Sequence, residues 1–256
     1  MNIIYKSDTE IGKIRASSRL VAETLEKMVK AIQPGVSTLE LDRIAEKSVR
    51  NNGAAAAFKG YRGYPSSVCV SINEEVVHGI PSSNRRLKEG DIVSLDFGVL
   101  QDGYYGDAAL TVPVGEVSDD VKRLLRVSRE SLYLGIEQAK PNGRLGDISN
   151  AIQRHAEEAG YSVVRAFVGH GIGSDLHEAP QIPNFGPPGQ GPELKPGMVL
   201  AIEPMVNMGS HEVRILEDQW TVVTADRSLS AHFEHTVAIT DNGAEILTLL
   251  DGSDAL

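Results

Sequence analysis

Between residues 9 and 32 the apolar positions Ile11, Ile14, Leu20, Val21, Leu25, Met28, Val29 and Ile32 recur at mostly three- and four-residue intervals, the period of an amphipathic helix. Asp8 or Thr9 is the expected cap, and Pro34-Gly35 breaks the helix. Ser37 or Thr38 caps a second helix with Leu41, Ile44, Ala45 and Val49 on its inner face, and Gly53 ends it. The period then shortens. Residues 61–65 read as loop, while 67–72, 92–97 and 104–114 read as strands. Helical spacing returns over 119–139 and 145–159, followed by strand-like runs at 163–168, 199–206, 213–216, 220–224, 233–239 and 245–249.

This order, two helices followed by strands, occurs twice in one register. Segment 34–53 overlays 141–160 at an offset of 141 − 34 = 107, so that Leu41, Ala45 and Val49 fall on Ile148, Ile152 and Ala156. LKEGDIVSLD (87–96) overlays LKPGMVLAIE (194–203) at 194 − 87 = 107, which sets Asp96 on Glu203. A shared offset in two separated segments predicts two structural halves related by pseudo-symmetry, about 1–115 and 116–256, with a site between them. The halves are expected to form one domain, 1–256, since α/β folds of this length are often undivided.

Composition narrows the field. A net charge of −10 argues against direct DNA binding, which needs a basic face, although Arg85, Arg86 and Lys88 form a small basic cluster. One cysteine, Cys69, excludes a disulfide framework and fits a reducing compartment. MNIIYKSDTE has no apolar run suited to a signal peptide, and no 18-residue apolar stretch occurs, so a soluble cytoplasmic protein without membrane contact is expected.

The candidate chemistry centres on 168–183, VGHGIGSDLHEAPQIP, where His170 and His177 sit among glycines and prolines that argue against regular helix or strand. Around it, Asp96, Asp107, Glu203 and Glu234 lie in or at the ends of apolar strand-like runs. Unit charges 4 Å apart repel by roughly 4 kcal/mol at an effective dielectric near 20, so four converging carboxylates require protons or cations. Two divalent cations balance four carboxylates, and one or two imidazoles complete a shell suited to manganese, iron, cobalt or zinc. Such a pair acidifies a bridging water into a hydrolytic nucleophile.

Other catalytic motifs fail. His177-Glu178 lacks a second histidine four residues on, where Gln181 stands, and Pro180 would break the helix that motif needs. GIGSDL has Leu176 in the third glycine position of a dinucleotide fingerprint, and no GxSxG elbow exists. Cys69 reads as pocket wall or core, His155 and His211 as surface residues, and His235 as structural. His78, in VVHGIP, is ambiguous from its surroundings alone.

With Asp96, Asp107, His170, Glu203 and Glu234 in this order, the chain resembles the type I methionine aminopeptidases. VCVSINEEVVHGIP, SLDFG, GYYGDAA, GHGIG, LHEAPQIPNFG, AIEPM and HFEHT carry the resemblance over nearly the full length. It implies an α+β pita-bread (creatinase/aminopeptidase) fold, two helix-helix-strand halves around a central antiparallel sheet. The implied activity is removal of the initiator methionine from nascent proteins when the next residue is small, by a water or hydroxide bridging two divalent metals. By resemblance Asp96 chelates the first metal, Asp107 and Glu234 bridge both, and His170 and Glu203 complete the second. Glu203 also takes and returns the water's proton, His177 hydrogen-bonds the scissile carbonyl oxygen, and His78 meets the backbone nitrogen beyond the scissile bond.

The resemblance further implies a methionine pocket of Phe58, Tyr61, Tyr64, Cys69, Leu176 and Trp220, and a sodium or potassium site at Asn73, the Glu75 backbone and Ser230. Nascent N-termini, a transient ribosome contact and a monomeric state go with it. Two positions depart from many relatives: Leu176 stands where some have phenylalanine, and Gln219 where many have glycine, so the EDQW turn is expected to differ in geometry and shift Trp220. Rival readings are a proline-specific peptidase, disfavoured because only some 90 residues precede the first ligand, and a non-catalytic binding protein, disfavoured because all five ligands are present.

Overall fold

The computed structural model describes residues 2–250. Helix α1 (Asp8–Ala31) starts from Ser7, whose N–H donates to the Glu10 carboxylate at 2.8 Å while the Glu10 N–H points back at Ser7 Oγ, 3.4 Å away. This capping box moves the cap upstream of the expected Asp8 or Thr9. Asp8 and Glu10 instead place negative charge in the first turn, where the helix dipole favours it. Helices α2 (Thr38–Asn51), α3 (Asp119–Gln138) and α4 (Leu145–Glu158) follow the expected spans to within a residue or two.

The repeat is present in hydrogen bonds as well as in letters. The backbone N–H ahead of α2, at Ser37, donates to Glu40 at 2.8 Å; 107 residues later Arg144 N–H donates to Asp147 at 2.8 Å. Ser37 bridges to Arg86 and Arg144 to Glu193, so 144 − 37 and 193 − 86 both give 107. Gly35 N–H donates to the Leu87 carbonyl at 2.8 Å, and Asn142 N–H to the Leu194 carbonyl at 2.9 Å. Each second helix is thereby tied to the turn that launches an acid-bearing strand.

Nine antiparallel strands form the central sheet. Its path runs Ala55–Ala56, Ile92–Gln101, Tyr104–Pro113, Glu234–Thr240, Val199–Ile202, Gly169–Gly171 and Glu178–Ile182. Cys69–Ile72 pairs with Ile92–Gln101, and Gly243–Ile246 with Glu234–Thr240. The two halves meet where Glu234 stands opposite Ala109. Two three-stranded sheets flank this one, of which Ser162–Val163, Met205–Asn207 and Ser230–His232 matter below.

Alternation sends Leu95 and Phe97 to the core while Asp96 points the other way. Leu41, Ala45, Ile148 and Ile152, matched by the repeat, are all fully buried, each large side chain contributing about 1.5–3 kcal/mol. Helix α1 lies so close over Tyr104–Pro113 that a Cβ on Gly106 would sit 2.6 Å from Ser18 N. Alanine at 106 would therefore push the helix off the sheet.

Three sequence expectations change. Stretch 168–183 is not irregular: Gly169–Gly171 and Glu178–Ile182 are paired strands with a bulge between His170 and Gly171. Its glycines serve close approach, since a Cβ on Gly169 would lie 2.4 Å from the Ala201 carbonyl oxygen and one on Gly171 2.2 Å from that of Ala179. The run at 163–168 shortens to Ser162–Val163, and the run at 199–206 is cut at Glu203-Pro204, because proline supplies no N–H to the ladder.

Candidate metal centre

Four strands and one strand end deliver the five expected ligands to one place. Asp96 lies mid-strand, opposite Cys69 on one side and Ala109 on the other; Asp107 stands opposite Gly98, Glu234 opposite Ala109, and His170 opposite Ala201. Glu203 follows the last residue of Val199–Ile202. Small residues opposite the ligands leave them room: a Cβ on Gly98 would already lie 3.3 Å from Asp107 Oδ1. Ligand atoms of Asp107, His170 and Glu234 lie within 4.8 Å of one another, and Glu203 Oε1 is 3.6 Å from His170 Nε2.

The electrostatics of this cluster are those of a cation site. Asp96 Oδ1, Asp107 Oδ1 and Glu234 Oε1 are buried without a hydrogen-bond partner. Burial raises the carboxyl pKa of Asp96 and of Glu203 to about 7. It lifts Asp107 and Glu234 well above the ordinary range, with the neighbouring carboxylates adding to the effect. His170 Nδ1 faces the Gly171 carbonyl at 2.9 Å, which can only accept; Nδ1 therefore carries the proton and Nε2 keeps its lone pair. Orphaned carboxylate oxygens beside an imidazole lone pair fit a divalent transition-metal pair.

One cavity of about 140 Å³ holds all five, together with His78, His177 and the six expected pocket residues. That volume, which includes the space between the carboxylates, is close to the roughly 150 Å³ that accommodates a benzene ring. Tyr64 and Trp220 meet edge to face at 5.1 Å, while Cys69 and Leu176 are buried. Burial pushes the Cys69 thiol up, making it wall and not nucleophile. His177 stands at the rim, stacked on Tyr61 at 5.2 Å with Nδ1 2.9 Å from the Tyr61 hydroxyl. Desolvation against that wall, with His170 beside it, lowers its pKa and keeps the imidazole neutral. His78 takes a left-handed backbone conformation, φ 62°, between the ring edges of Phe167 and Trp220. A non-glycine residue held there signals a locally over-determined position.

Gln219 adopts the conformation glycine would have, φ 66°, and Asp218 accepts from the Trp220 and Thr221 N–H groups at 2.9 and 2.8 Å. The substitution thus leaves the turn's left-handed residue in place, contrary to the expectation of an altered geometry. At the expected monovalent site, Ser230 N–H donates to the Asn73 carbonyl at 3.0 Å and Ser230 Oγ is buried without a partner. The Glu75 carboxylate is occupied by Arg85 and the Ile72 N–H. His155 is partly exposed beside Glu130, and His235 is buried between Tyr133 and Thr248, in line with their bland readings.

Two residues escaped the sequence. Arg62, at φ 49°, lines the cavity mouth with its guanidinium 5.4 Å from the centre of the Tyr61 ring. His232, 1% exposed, brings Nε2 to 3.6 Å from Glu203 Oε2. A third feature supports the site from outside: Lys6 and Glu178, both side chains 2% exposed, form an ion pair of 2.5 Å directly after His177.

Comparison with known proteins agrees with this geometry. The profile of metallopeptidase family M24 matches residues 12–241. Methionine aminopeptidase 1 of Bacillus subtilis is 58% identical over 246 residues, covering 96% of this chain and 99% of that one. The Escherichia coli K12 methionine aminopeptidase is 49% identical over 97% of this chain and 95% of its own. The crystal structure of methionine aminopeptidase from Thermotoga maritima superposes with a TM-score of 0.96 at 49% identity, over 97% of this chain and 100% of that one. An Xaa-Pro dipeptidase from Bacillus anthracis shares the fold at a TM-score of 0.75 and 24% identity, with 97% of this chain matching 63% of the other. Matched almost end to end by family profile, relatives and structure alike, the chain belongs to metallopeptidase family M24, among its methionine aminopeptidases, and has their pita-bread fold.

Proposed function

We propose that this protein hydrolyses the N-terminal methionine from nascent polypeptides when the second residue is small. The observation that carries the reading is the union, in one cavity, of orphaned buried carboxylates with an aromatic and apolar wall. A methionine thioether gains from sulfur–aromatic contact with Tyr64 and Trp220.

Asp96, Asp107, His170, Glu203 and Glu234 would hold two divalent cations from the set cobalt, manganese, iron and zinc. When bound, the pair supplies Lewis-acid polarisation and acidifies water. Glu203 accepts the proton of the attacking water and returns it to the leaving amine. Tyr61 hydroxyl occupies His177 Nδ1, which leaves Nε2–H to donate to the scissile carbonyl oxygen as charge develops there. His78, kept neutral by burial at a pKa of about 4, meets the backbone nitrogen beyond the bond. Asn73, Glu75 and Ser230 bind a monovalent cation, a reading supported by the unpartnered Ser230 Oγ.

The two helix-helix-strand halves, 1–115 and 116–256, act as one domain because the ligands come from both. Among the described residues no helix is long and apolar enough to cross a membrane. A cytoplasmic monomer meeting its substrates at the ribosome suits this role. The metal-free protein titrated with manganese, iron and cobalt is expected to release methionine from Met-Ala-Ser, spare Met-Trp-Ser, and leave an Ala-Pro peptide intact. Cleavage of the Ala-Pro peptide alone would keep the metals and discard the substrate, and cleavage of none would discard the activity.

A further inference from the structure

His232 has no role in the resemblance, and its surroundings ask for one. Both of its ring nitrogens are buried without a partner, a state rare among native polar groups. Its backbone is pinned twice by a single hydroxyl: His232 N–H donates to Thr111 Oγ1 at 2.8 Å, and that hydroxyl donates to the His232 carbonyl at 2.8 Å. Strand pairing with Met205 and the Phe233 N–H on the Pro204 carbonyl hold it beside Glu203. The ring is therefore placed by the fold, not by chance rotation of a loose side chain.

Glu203 sits between two imidazoles, one for each oxygen. His170 Nε2 is 3.6 Å from Oε1, and His232 Nε2 is 3.6 Å from Oε2. The two rings differ in what they can offer. His170 gives its Nδ1 proton to Gly171, so its Nε2 is a lone pair suited to a cation. His232 Nδ1 has no hydrogen-bond partner, whereas Nε2 faces the Glu203 carboxylate at 3.6 Å, with the Asp96 carboxylate also acting on the ring. His232 also lies outside the Asp107, His170 and Glu234 ligand group and does not line the cavity.

From this geometry we infer that His232 is a positioning residue: its Nε2–H anchors Glu203 Oε2 and so holds Oε1 on the His170 side, where it would meet a bound cation and the reacting water. At 3.6 Å the pair is longer than a hydrogen bond, and a shift of a few tenths of an ångström in the carboxylate closes it. Metal-binding carboxylates commonly depend on such an outer partner, whose loss lowers affinity or activity about 10–100-fold. The inference rests on the reading of Glu203 as cation ligand and proton acceptor given above.

The test uses His232→Leu, which fills the space without a donor, and His232→Gln, which keeps an N–H donor of similar reach. His232→Asn, with the donor but too short, replaces the leucine variant should that one not fold. Cobalt binding is followed by calorimetry and by the visible absorption of bound Co(II), and kcat and KM by release of methionine from Met-Ala-Ser. His232→Leu is expected to bind two cations, one of them about 10–100-fold more weakly, with kcat reduced about as much and KM unchanged. His232→Gln is expected to restore both and to keep the wild-type absorption. Wild-type affinity and kcat in His232→Leu or His232→Asn would overturn the role, and a changed absorption in His232→Gln would make His232 a ligand and overturn positioning. Absence of cation binding or of methionine release in the wild-type protein would instead fell the parent reading, and this one with it.

Discussion

Two strands of this sheet start as copies and end differently. Ile92–Gln101 and Val199–Ile202 begin 107 residues apart, each after a turn with a left-handed glycine, Gly90 at φ 88° and Gly197 at φ 89°. Each carries an acid at the same step, Asp96 and Glu203. Beyond it the first strand runs on to Gln101, whereas Pro204 stops the second and turns the chain into Met205–Asn207. That turn brings His232 beside Glu203, while Asp96 has Cys69 across from it in the ladder. Repetition supplies the platform, and the places where repetition fails supply the imidazoles, His170, His177 and His232.

The pair Asp107 and Glu234 breaks the repeat most strongly, since the position 107 residues after Asp107 is exposed Arg214. Asp107→Ala is expected to give the largest effect: turnover falls to background, and calorimetry finds at most one cation per chain. Normal turnover with one cation bound would sink the two-metal site.

Next comes the rim of the second half. His177→Ala is expected to keep both cations yet lose about 10²–10³-fold in kcat, the scale of one removed oxyanion donor. Steady-state kinetics beside cobalt titration separates the two readouts, and unchanged kcat would remove His177 from the chemistry.

A finer contrast concerns the strands that flank the two acid-bearing ones. Cys69–Ile72 pairs on one side only and has no glycine, while Gly169–Gly171 lies between two strands and needs them. Gly171→Ala is expected to destabilise by about 1–3 kcal/mol through forced backbone displacement, read as a Tm loss of roughly 2–4 °C for each kcal/mol. Val70→Ala in the other flanking strand leaves the backbone in place, so its loss is limited to that of a trimmed side chain, with metal affinity unaltered.

The smallest effect is a pH dependence in chelated protein. Without cations, Asp96 and Glu203 titrate at about 7 and Asp107 and Glu234 well above their ordinary range, so the folded chain holds protons that the unfolded chain has shed. These groups stabilise the fold at low pH and lose that contribution as pH rises through their folded values. His78 has the opposite sign: lowered by burial to about 4, it favours the fold above the unfolded value of 6.5, and this contribution is lost as pH falls toward 4. Above about pH 7 the lowered histidines are neutral in both states, so what remains is the end of the Asp96 and Glu203 loss, the continuing loss from Asp107 and Glu234 and, toward pH 9, a loss of the same sign from Cys69. Tm of the chelated protein is expected to drop by a few degrees over that range, and that of cation-loaded protein to stay level.

Much of this was readable in the letters. The offset of 107 gave the halves, the helix faces and the equivalence of Asp96 with Glu203, because buried periodicity and turn glycines leave local marks. The capping signature Ser7-x-x-Glu10 was also there, though Asp8 and Thr9 compete with it in the same four residues. What stayed hidden depends on distant pairing. Glycines around His170 look like loop in sequence, yet they answer to neighbouring backbone. His232 sits between Ala231 and Phe233 with no spacing signal, and its relation to Glu203 exists only once Pro204 has turned the chain.

Lys6 reaches across 172 residues to Glu178 and is held dry there, with its N–H on the Gly197 carbonyl and its ammonium also on the Ile4 carbonyl. Stranding one partner of such a buried pair costs about 3–5 kcal/mol, and Glu178 is the residue next to His177. The amino end is thus a tie rod for the hairpin that carries His177. An affinity tag or a trimmed start that disturbs Lys6 strands Glu178 beside His177, and is expected to be felt in stability and in turnover together.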